Sequence, residues 1–391
     1  MTVTKDLQTN LTPEEAENVK ELREIVKDDL TEFYDTDFNL LRWLQGHPNT
    51  SIADVSKKLR KHLKMRQSEW KLDEMENKKR NHPIHSHWRY GITGESKVLE
   101  NVIVNIEQSG QTDYYGMIQS HSIQEVMKAR IPDLEDMLRH CMKIEKKTGK
   151  QASILYVMDL TDLQYNKRLY NLVTGALKSL AEFMSEHYVE LIKYFVIVNV
   201  PSFIYALWTA TKSLLPERTR QKVRILSASN WREEILEYAS AESLPTKWNI
   251  SEITHFKAPL DLPVQFPENE YYCNFKNDVD NNNIEKVKVV AGKTLIICNE
   301  LKKGEKLHWW ISADSDFGMG VFFSRNKEEK NIENMNTCYP CFEWMPGPSV
   351  VPLNDEITAG EDGFYKIWIS NERAWWHGLN VLTKIKIIPK C

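Results

Sequence analysis

The sequence predicts a multidomain chain: an N-terminal α-helical leader, an α/β domain on a mostly parallel sheet with an apolar helix after it, and a C-terminal antiparallel β-sandwich. Three observations carry this. Apolar residues recur at helical spacing through residues 13–70. Between residues 101 and 228, short β-branched runs alternate with helical stretches. From residue 284 onward, short strands follow one another with turn residues between them.

Residues 1–80 are expected to be helical. Thr12-Pro13-Glu14-Glu15 has the form of an N-cap, a Pro in the first turn and early acids. Val19, Leu22, Ile25 and Val26 follow at helical spacing. Asp37 is a candidate cap for a short helix carrying Leu40, Leu41 and Leu44, and Ser51 starts a longer one with Val55, Leu59, Leu63 and Trp70.

Residues 81–252 form the α/β unit. The strands are NVIVNI (101–106), ILYVMDL (154–160), YFVIVNV (194–200) and VRILSA (223–228). Residues 121–147 are helical up to Gly149, and a second helix is expected from Tyr170 to Tyr188. After the third strand, PSFIYALWTATKSLL (201–215) is amphipathic and opened by Pro201. Phe203, Leu207, Ala210 and Leu214 share one helical face, with Ile204, Trp208 and Leu215 beside it. An apolar face of this kind suits a lid over a sheet.

Residues 253–273 contain Pro259, Pro263 and Pro267, a linker composition. The sandwich, residues 274–391, is expected to use strands near 284–290, 294–299, 307–312, 321–323, 364–370 and 382–388, with a long loop from Ser324 to Pro352. Trp375 and Trp376 are adjacent after a strand, so one of them is expected to be exposed and the other folded inward.

Composition narrows the function classes. The chain of 391 residues has a net charge of −4, which gives no bias toward nucleic acid. No apolar run approaches the roughly 18 residues of a membrane span, and the polar N-terminus has no signal-peptide core. Six scattered cysteines show no disulfide framework, so a cytoplasmic setting is expected.

Several stretches together resemble a known family. They are DFNLLRWLQGHPNTSIADVSKKLRKHLKMRQSEW (37–70), YVMDL (156–160), EHYVELIKYFVIVNVPSFIYALWTATKSLLPERTRQKVRIL (186–226) and SAESLPTKW (240–248). They resemble the CRAL-TRIO lipid-binding family, the group of the secretory phosphatidylinositol-transfer proteins. The sandwich region is similar to a GOLD domain, and the pairing resembles the supernatant protein factor and tocopherol-associated group. The resemblance implies a non-enzymatic lipid carrier, peripherally and reversibly membrane-associated, with a protein partner for the GOLD domain as the rival reading. It also implies that the lid is a gating helix, with Phe203, Ile204, Leu207, Trp208 and Leu214 as the gate.

By matching motif positions, the resemblance places a phosphatidylinositol headgroup at Glu190, Thr219 and Lys222. The residue types suit such a ligand, since lysine pairs with phosphate, threonine donates a hydroxyl, and glutamate accepts from inositol hydroxyls. The lipid tail is expected along Ile154, Tyr156, Met158, Phe195 and Ile197. Basic residues clustered after the lid (Lys212, Arg218, Arg220, Lys222 and Arg224) would orient docking on an anionic surface. There are departures from the family pattern. Gln45-Gly46-His47-Pro48 stand where the family has basic residues, and Ile154 and Tyr156 replace small hydroxyl residues that hold choline lipids. Trp248-Asn249 replace a double glycine. A more apolar ligand, such as a tocopherol, a retinoid or a sterol precursor, stays open.

Other motifs are weak. Ala291-Gly292-Lys293-Thr294 lacks the first glycine and the following helix of a phosphate loop. Cys338-Tyr339-Pro340-Cys341 has no second pair to complete a zinc site. His82, His85 and His87 read as a solvated loop, and Asp159 and Asp162 have no partnered nucleophile. No metal, cofactor or catalytic set is expected.

Overall fold

The structure, a computed structural model, describes residues 9–211, 217–250, 254–272 and 284–390, without the side chains of Asn77, Leu207, Ala210, Thr211, Arg218 and Thr219. The leader folds as α1 (Pro13–Val26), α2 (Asp37–Gly46) and α3 (Ile52–Arg66). Thr12 and Glu15 close a reciprocal capping box on α1. The cap of α2 is Thr36, one residue before the expected Asp37, which instead lies in the first turn. Ser51 caps α3 as predicted.

A short α4 (Ile84–His87) leads into β1 (Ile92–Glu95) and β2 (Val102–Glu107). Then come α5 (Tyr114–Ser120), α6 (Ile123–Thr148), β3 (Ser153–Asp159), α7 (Lys167–Thr174), α8 (Ala176–His187) and β4 (Ile192–Val198). The unit continues with α9 (Ser202–Thr211), α10 (Glu217–Lys222), β5 (Val223–Ile225) and α11 (Trp231–Glu234). The sheet order is β1-β2-β3-β4-β5, antiparallel at β1–β2 and parallel elsewhere. When each parallel strand neighbours the next, crossovers of one hand put the connecting helices on one face. The opposite face must be covered by something else. Trp231, Ile235, Leu244, Trp248 and Phe256 cover it, packing on Val104, Leu155, Val157, Val196 and Val198.

The helix expected over 170–188 is broken. Gly175 separates α7 from α8 with non-helical dihedrals. A Cβ there would lie 2.8 Å from the Asn171 carbonyl oxygen.

The C-terminal region is two four-stranded antiparallel sheets. One has the order β10-β9-β12-β7 and the other β11-β8-β13-β6. The strands are β6 (Glu285–Val289), β7 (Thr294–Leu301), β8 (Lys306–Ala313), β9 (Phe317–Ser324), β10 (Asn336–Met345), β11 (Leu353–Thr358), β12 (Gly363–Ser370) and β13 (Leu379–Ile388). The long loop expected from Ser324 to Pro352 is therefore interrupted by β10. Pro340 is tolerated because β10 is an edge strand, with its register shifting between Tyr339 and Phe342.

The sandwich is not tethered loosely. Phe342 of β10 stacks on Phe183 of α8 at 4.6 Å, and Trp70 meets Tyr339 edge-on at 5.6 Å. These rings belong to one core that runs from the leader through α6 and α8 into the sandwich. Polar contacts edge it: Lys128 to Asp355 at 2.8 Å, Arg373 to Glu182 at 3.0 Å, and the Glu69 amide to the Cys338 carbonyl at 2.9 Å.

Candidate functional site

The register of the parallel sheet decides which side chains share a face. Tyr156 pairs with Phe195, and Met158 with Ile197. Phe195 and Ile197 pair in turn with Val223 and Ile225. These six therefore line one face, on the same side as the connecting helices. All six are only partly buried, whereas Leu155, Val157, Val196 and Val198 on the other face are fully buried. Ile154 lies on the helix side too, but is closed into the core between the helices and the sheet. The α6 and α8 helices thus cover the β2–β3 side, leaving a partly open apolar strip over β3, β4 and β5.

The segment expected to act as a lid follows β4 directly. Phe203, Ile204 and Trp208 of α9 are partly buried. The Phe203 ring lies 5.6 Å from that of Tyr165, itself 67% exposed ahead of α7. Tyr205 ties the helix to the end of the sheet, donating its hydroxyl to the Leu226 carbonyl at 2.7 Å. Leu207 is placed in α9 by its backbone. Leu214 and Lys212 lie outside the described residues.

Of the three residues expected at a headgroup, two meet. Lys222, at the end of α10, donates from Nζ to Glu190 Oε2 at 2.8 Å. Glu190 sits just before β4 with a left-handed φ of +55°, a conformation that costs a non-glycine residue about 1 kcal/mol or more. Thr219 belongs to α10 by its backbone. Among the described side chains of the basic cluster, Arg220 pairs with Glu217, Lys222 with Glu190, and Arg224 stacks over Tyr194 at 4.9 Å. Within the Gln45–Pro48 stretch, Gly46 has no room for a side chain. A Cβ on Gly46 would lie 2.1 Å from Val189, so α2 ends against the residue preceding Glu190.

Sequence reasoning missed a buried polar network at the other end of the strip. Glu107 accepts from Trp88 Nε1 at 2.6 Å and Tyr114 Oη at 2.6 Å. It also accepts from Tyr156 Oη and Arg130 Nη2, both at 2.9 Å. Burial, then the Glu107 charge, pushes the Tyr156 hydroxyl upward. Tyr156 thus shows the strip its ring, while its hydroxyl is held. No residue spacing signals this, because the partners come from four separate elements.

Asp159 is likewise structural. It accepts from Thr161, from Asn199 Nδ2 at 2.8 Å and from Trp248 Nε1 at 2.8 Å. Burial opposes its charge, but the Thr161 bond, the Lys247 charge and the Asn199 and Trp248 bonds together hold its pKa below the usual carboxylate range. Trp248, where the family pattern has glycine, is a buried wedge serving this anchor. The thiols of Cys338 and Cys341 are pushed up to about 12 by burial. His85 and His87 are not a solvated loop: they bond the carbonyls of Ala129 at 2.7 Å and Val264 at 2.6 Å. Trp375 and Trp376 are 89% and 79% exposed, so neither folds inward. Among the described residues, no helix is long and apolar enough to cross a membrane.

Comparison with known proteins assigns the parts. Residues 102–249 match the CRAL/TRIO domain, residues 271–390 match a family described as F28H7_8_C-like, C-terminal domain, and residues 11–75 match a domain of unknown function. The chain is 28% identical over 389 residues to the CRAL-TRIO domain-containing protein F28H7.8 of Caenorhabditis elegans, covering 93% of this chain and 90% of that one. Patellin-4 of Arabidopsis thaliana is 26% identical over 112 residues, covering 29% of this chain and 20% of Patellin-4. The crystal structure of Sfh5 aligns over 72% of this chain and all of its own, with a TM-score of 0.47 and 15% identity. CRAL-TRIO proteins are in general lipid-binding and lipid-transfer proteins. The α/β unit carrying the open apolar strip is thus a CRAL/TRIO domain, set between a helical leader and a β-sandwich of the F28H7.8 type.

Proposed function

We propose that the protein binds a hydrophobic lipid on the half-open sheet face and carries it between membranes, with α9 as the gate. One observation carries the reading. The same strands bury one face completely and leave Tyr156, Met158, Phe195 and Ile197 partly open on the other. An apolar strip left open inside a domain needs an apolar occupant, since each methylene moved there from water gains about 0.8 kcal/mol. Phosphatidylinositol is the favoured ligand. Lys222 and Glu190 stand together beside the strip, offering a phosphate donor and an acceptor for hydroxyls. Thr219 completes the set in this reading. We read the sandwich as a GOLD domain and the protein as a peripheral, reversible visitor to membranes from the cytoplasm, with no catalytic role.

The test is mass spectrometry of lipids co-purifying with the full chain, followed by vesicle-to-vesicle transfer assays. Recovery of phosphatidylinositol or another lipid at near-equal stoichiometry, with transfer, supports the proposal. A protein that purifies lipid-free and moves none of a broad lipid panel refutes it.

A second reading has its own observation. The adjacent exposed pair Trp375 and Trp376 on the sandwich suits a protein partner, making the chain a lipid-sensing adaptor. An adaptor would hold lipid without transferring it.

A further inference from the structure

His82, His121 and Glu125 bring three ligand-type atoms to one point from two places in the fold. His82 lies between the leader and α4, His121 between α5 and α6, and Glu125 in the first turn of α6. His82 Nε2 is 3.0 Å from Glu125 Oε1, and His121 Nδ1 is 2.8 Å from the same oxygen. All three ligand atoms fall within 4.8 Å of one another. A tetrahedral ion with ligands at about 2.0–2.2 Å spaces them roughly 3.4 Å apart, so small side-chain rotations convert this cluster into a coordination set.

We propose that these residues form a divalent transition-metal site of the zinc class, with two imidazoles, one carboxylate and a fourth position for water. The chemistry of the set fits. Two nitrogens and one carboxylate oxygen are borderline ligands suited to zinc. Both imidazoles already point a ring nitrogen at the Glu125 carboxylate, so the three side chains face one another before any ion arrives. The side chains are 29%, 16% and 41% exposed for His82, His121 and Glu125, so an ion can enter. The site opens on a cavity of about 370 Å³ whose wall also includes His85, Lys128, Trp70 and Tyr339. The His85 ring lies 6.2 Å from that of His82, beside the ligand set but not part of it. Loading has one visible cost. His82 Nδ1 accepts from the Ile84 amide at 3.2 Å, a long bond that is lost when the ring proton moves to Nδ1. The bound ion would staple the segment before the sheet to the start of α6, independently of any lipid.

The experiment uses the full chain stripped with a chelator, titrated with zinc by calorimetry and with cobalt(II) by absorption. One site of 1:1 stoichiometry is expected, with a cobalt spectrum of four-coordinate nitrogen and oxygen ligation and a higher melting temperature on zinc addition. The His82→Ala, His121→Ala double variant should lose binding beyond the roughly 10–100-fold that outer-shell changes cost. Glu125→Gln, which keeps a hydrogen-bonding side chain and so protects the fold, should weaken it in the same direction. The proposal is overturned by no 1:1 binding, by binding that survives in both variants, or by a thiolate charge-transfer band, which would place the ion on cysteine.

Discussion

Lys222 and Glu190 neutralise each other across the step from α10 to β4, at 2.8 Å and with side chains 21% and 17% exposed. The two charges proposed to receive a lipid headgroup are thus already paired before any lipid arrives. A phosphate would compete with Glu190 for the Lys222 ammonium, while the Glu190 carboxylate would accept from ring hydroxyls. The left-handed backbone at Glu190 fixes that carboxylate at the strand's entrance.

Lys222→Ala tests charge recognition, provided that its effect on folding is measured beside it. Both side chains are mostly buried, so loss of the ammonium should cost about 1–3 kcal/mol, and transfer is compared at a temperature where the variant stays folded. Transfer of phosphatidylinositol between vesicles should fall at least about tenfold, the effect of losing one charge-assisted hydrogen bond of roughly 1.5–3 kcal/mol. Transfer of an uncharged lipid should be unchanged. Equal losses for both lipids would remove Lys222 from headgroup recognition.

The two sides of the sheet give a paired test of the open strip. Met158→Trp adds bulk on the partly open side and should fold normally while reducing co-purified lipid. Val157→Trp adds similar bulk one residue away, on the side where Val157 is fully buried. Overpacking there should cost about 1–3 kcal/mol in denaturant unfolding. If both variants lose the same stability, the strip is packed core and the carrier reading fails.

How much of this was legible beforehand depends on whether one stretch of chain carried the signal. The β3 and β4 strands, the α6 helix with its Gly149 end, and the caps of α1 and α3 are local features, and residue pattern suffices for them. The break at Gly175 was hidden because helical spacing continues on both sides of it, and only the folded chain shows that a side chain there would meet the Asn171 carbonyl and Pro346 of the sandwich. Strand β10 was hidden by Pro340 and the polar residues around it, since only the finished sheet shows that this strand lies at an edge. The Glu107 network and the anchor at Asp159 join residues tens of positions apart, and composition cannot show such pairings. Tyr156 and the Lys222–Glu190 pair could be named from motif positions, but not that the Tyr156 hydroxyl is bound or that the ion pair is closed.

The anchor at Asp159 makes a prediction about acid. Trp248→Phe keeps the aromatic bulk but removes the Nε1 donor at 2.8 Å. Losing a hydrogen bond to a charged group costs about 1.5–3 kcal/mol. Asp159 has a depressed folded pKa, so its contribution is present above its ordinary value of 3.8 and disappears as pH falls through the folded value. The stability gap between the native protein and the variant should be greatest above about pH 5 and narrow below that. A gap independent of pH would mean that Trp248 acts through packing alone.

The stacked pair Phe183 and Phe342 predicts coupled unfolding. Because one core continues from α8 into β10, the native chain should melt in a single transition by calorimetry, without an early event for the sandwich. Phe342→Ala should cost about 3–5 kcal/mol and divide the transition in two as the sandwich separates. A native chain that already shows two transitions would contradict a shared core.

Trp375 and Trp376 finally discriminate between the carrier and the adaptor. Their side chains are almost wholly exposed, so Trp375→Ala with Trp376→Ala should leave stability within about 0.5 kcal/mol. Tryptophan prefers the membrane–water interface, where its ring is apolar and its N–H stays wet. The Trp344 ring, packed under Lys178 at 4.7 Å, places this loop beside the start of α8, just past α7 with its exposed Tyr170 and Val173. Tyr165, ahead of α7, has its ring 5.6 Å from that of Phe203 in α9. For a carrier, the double variant should keep its bound lipid but sediment less with vesicles and transfer more slowly. If vesicle binding and transfer stay intact while a captured protein partner is lost, the tryptophans serve protein recognition and the adaptor reading gains.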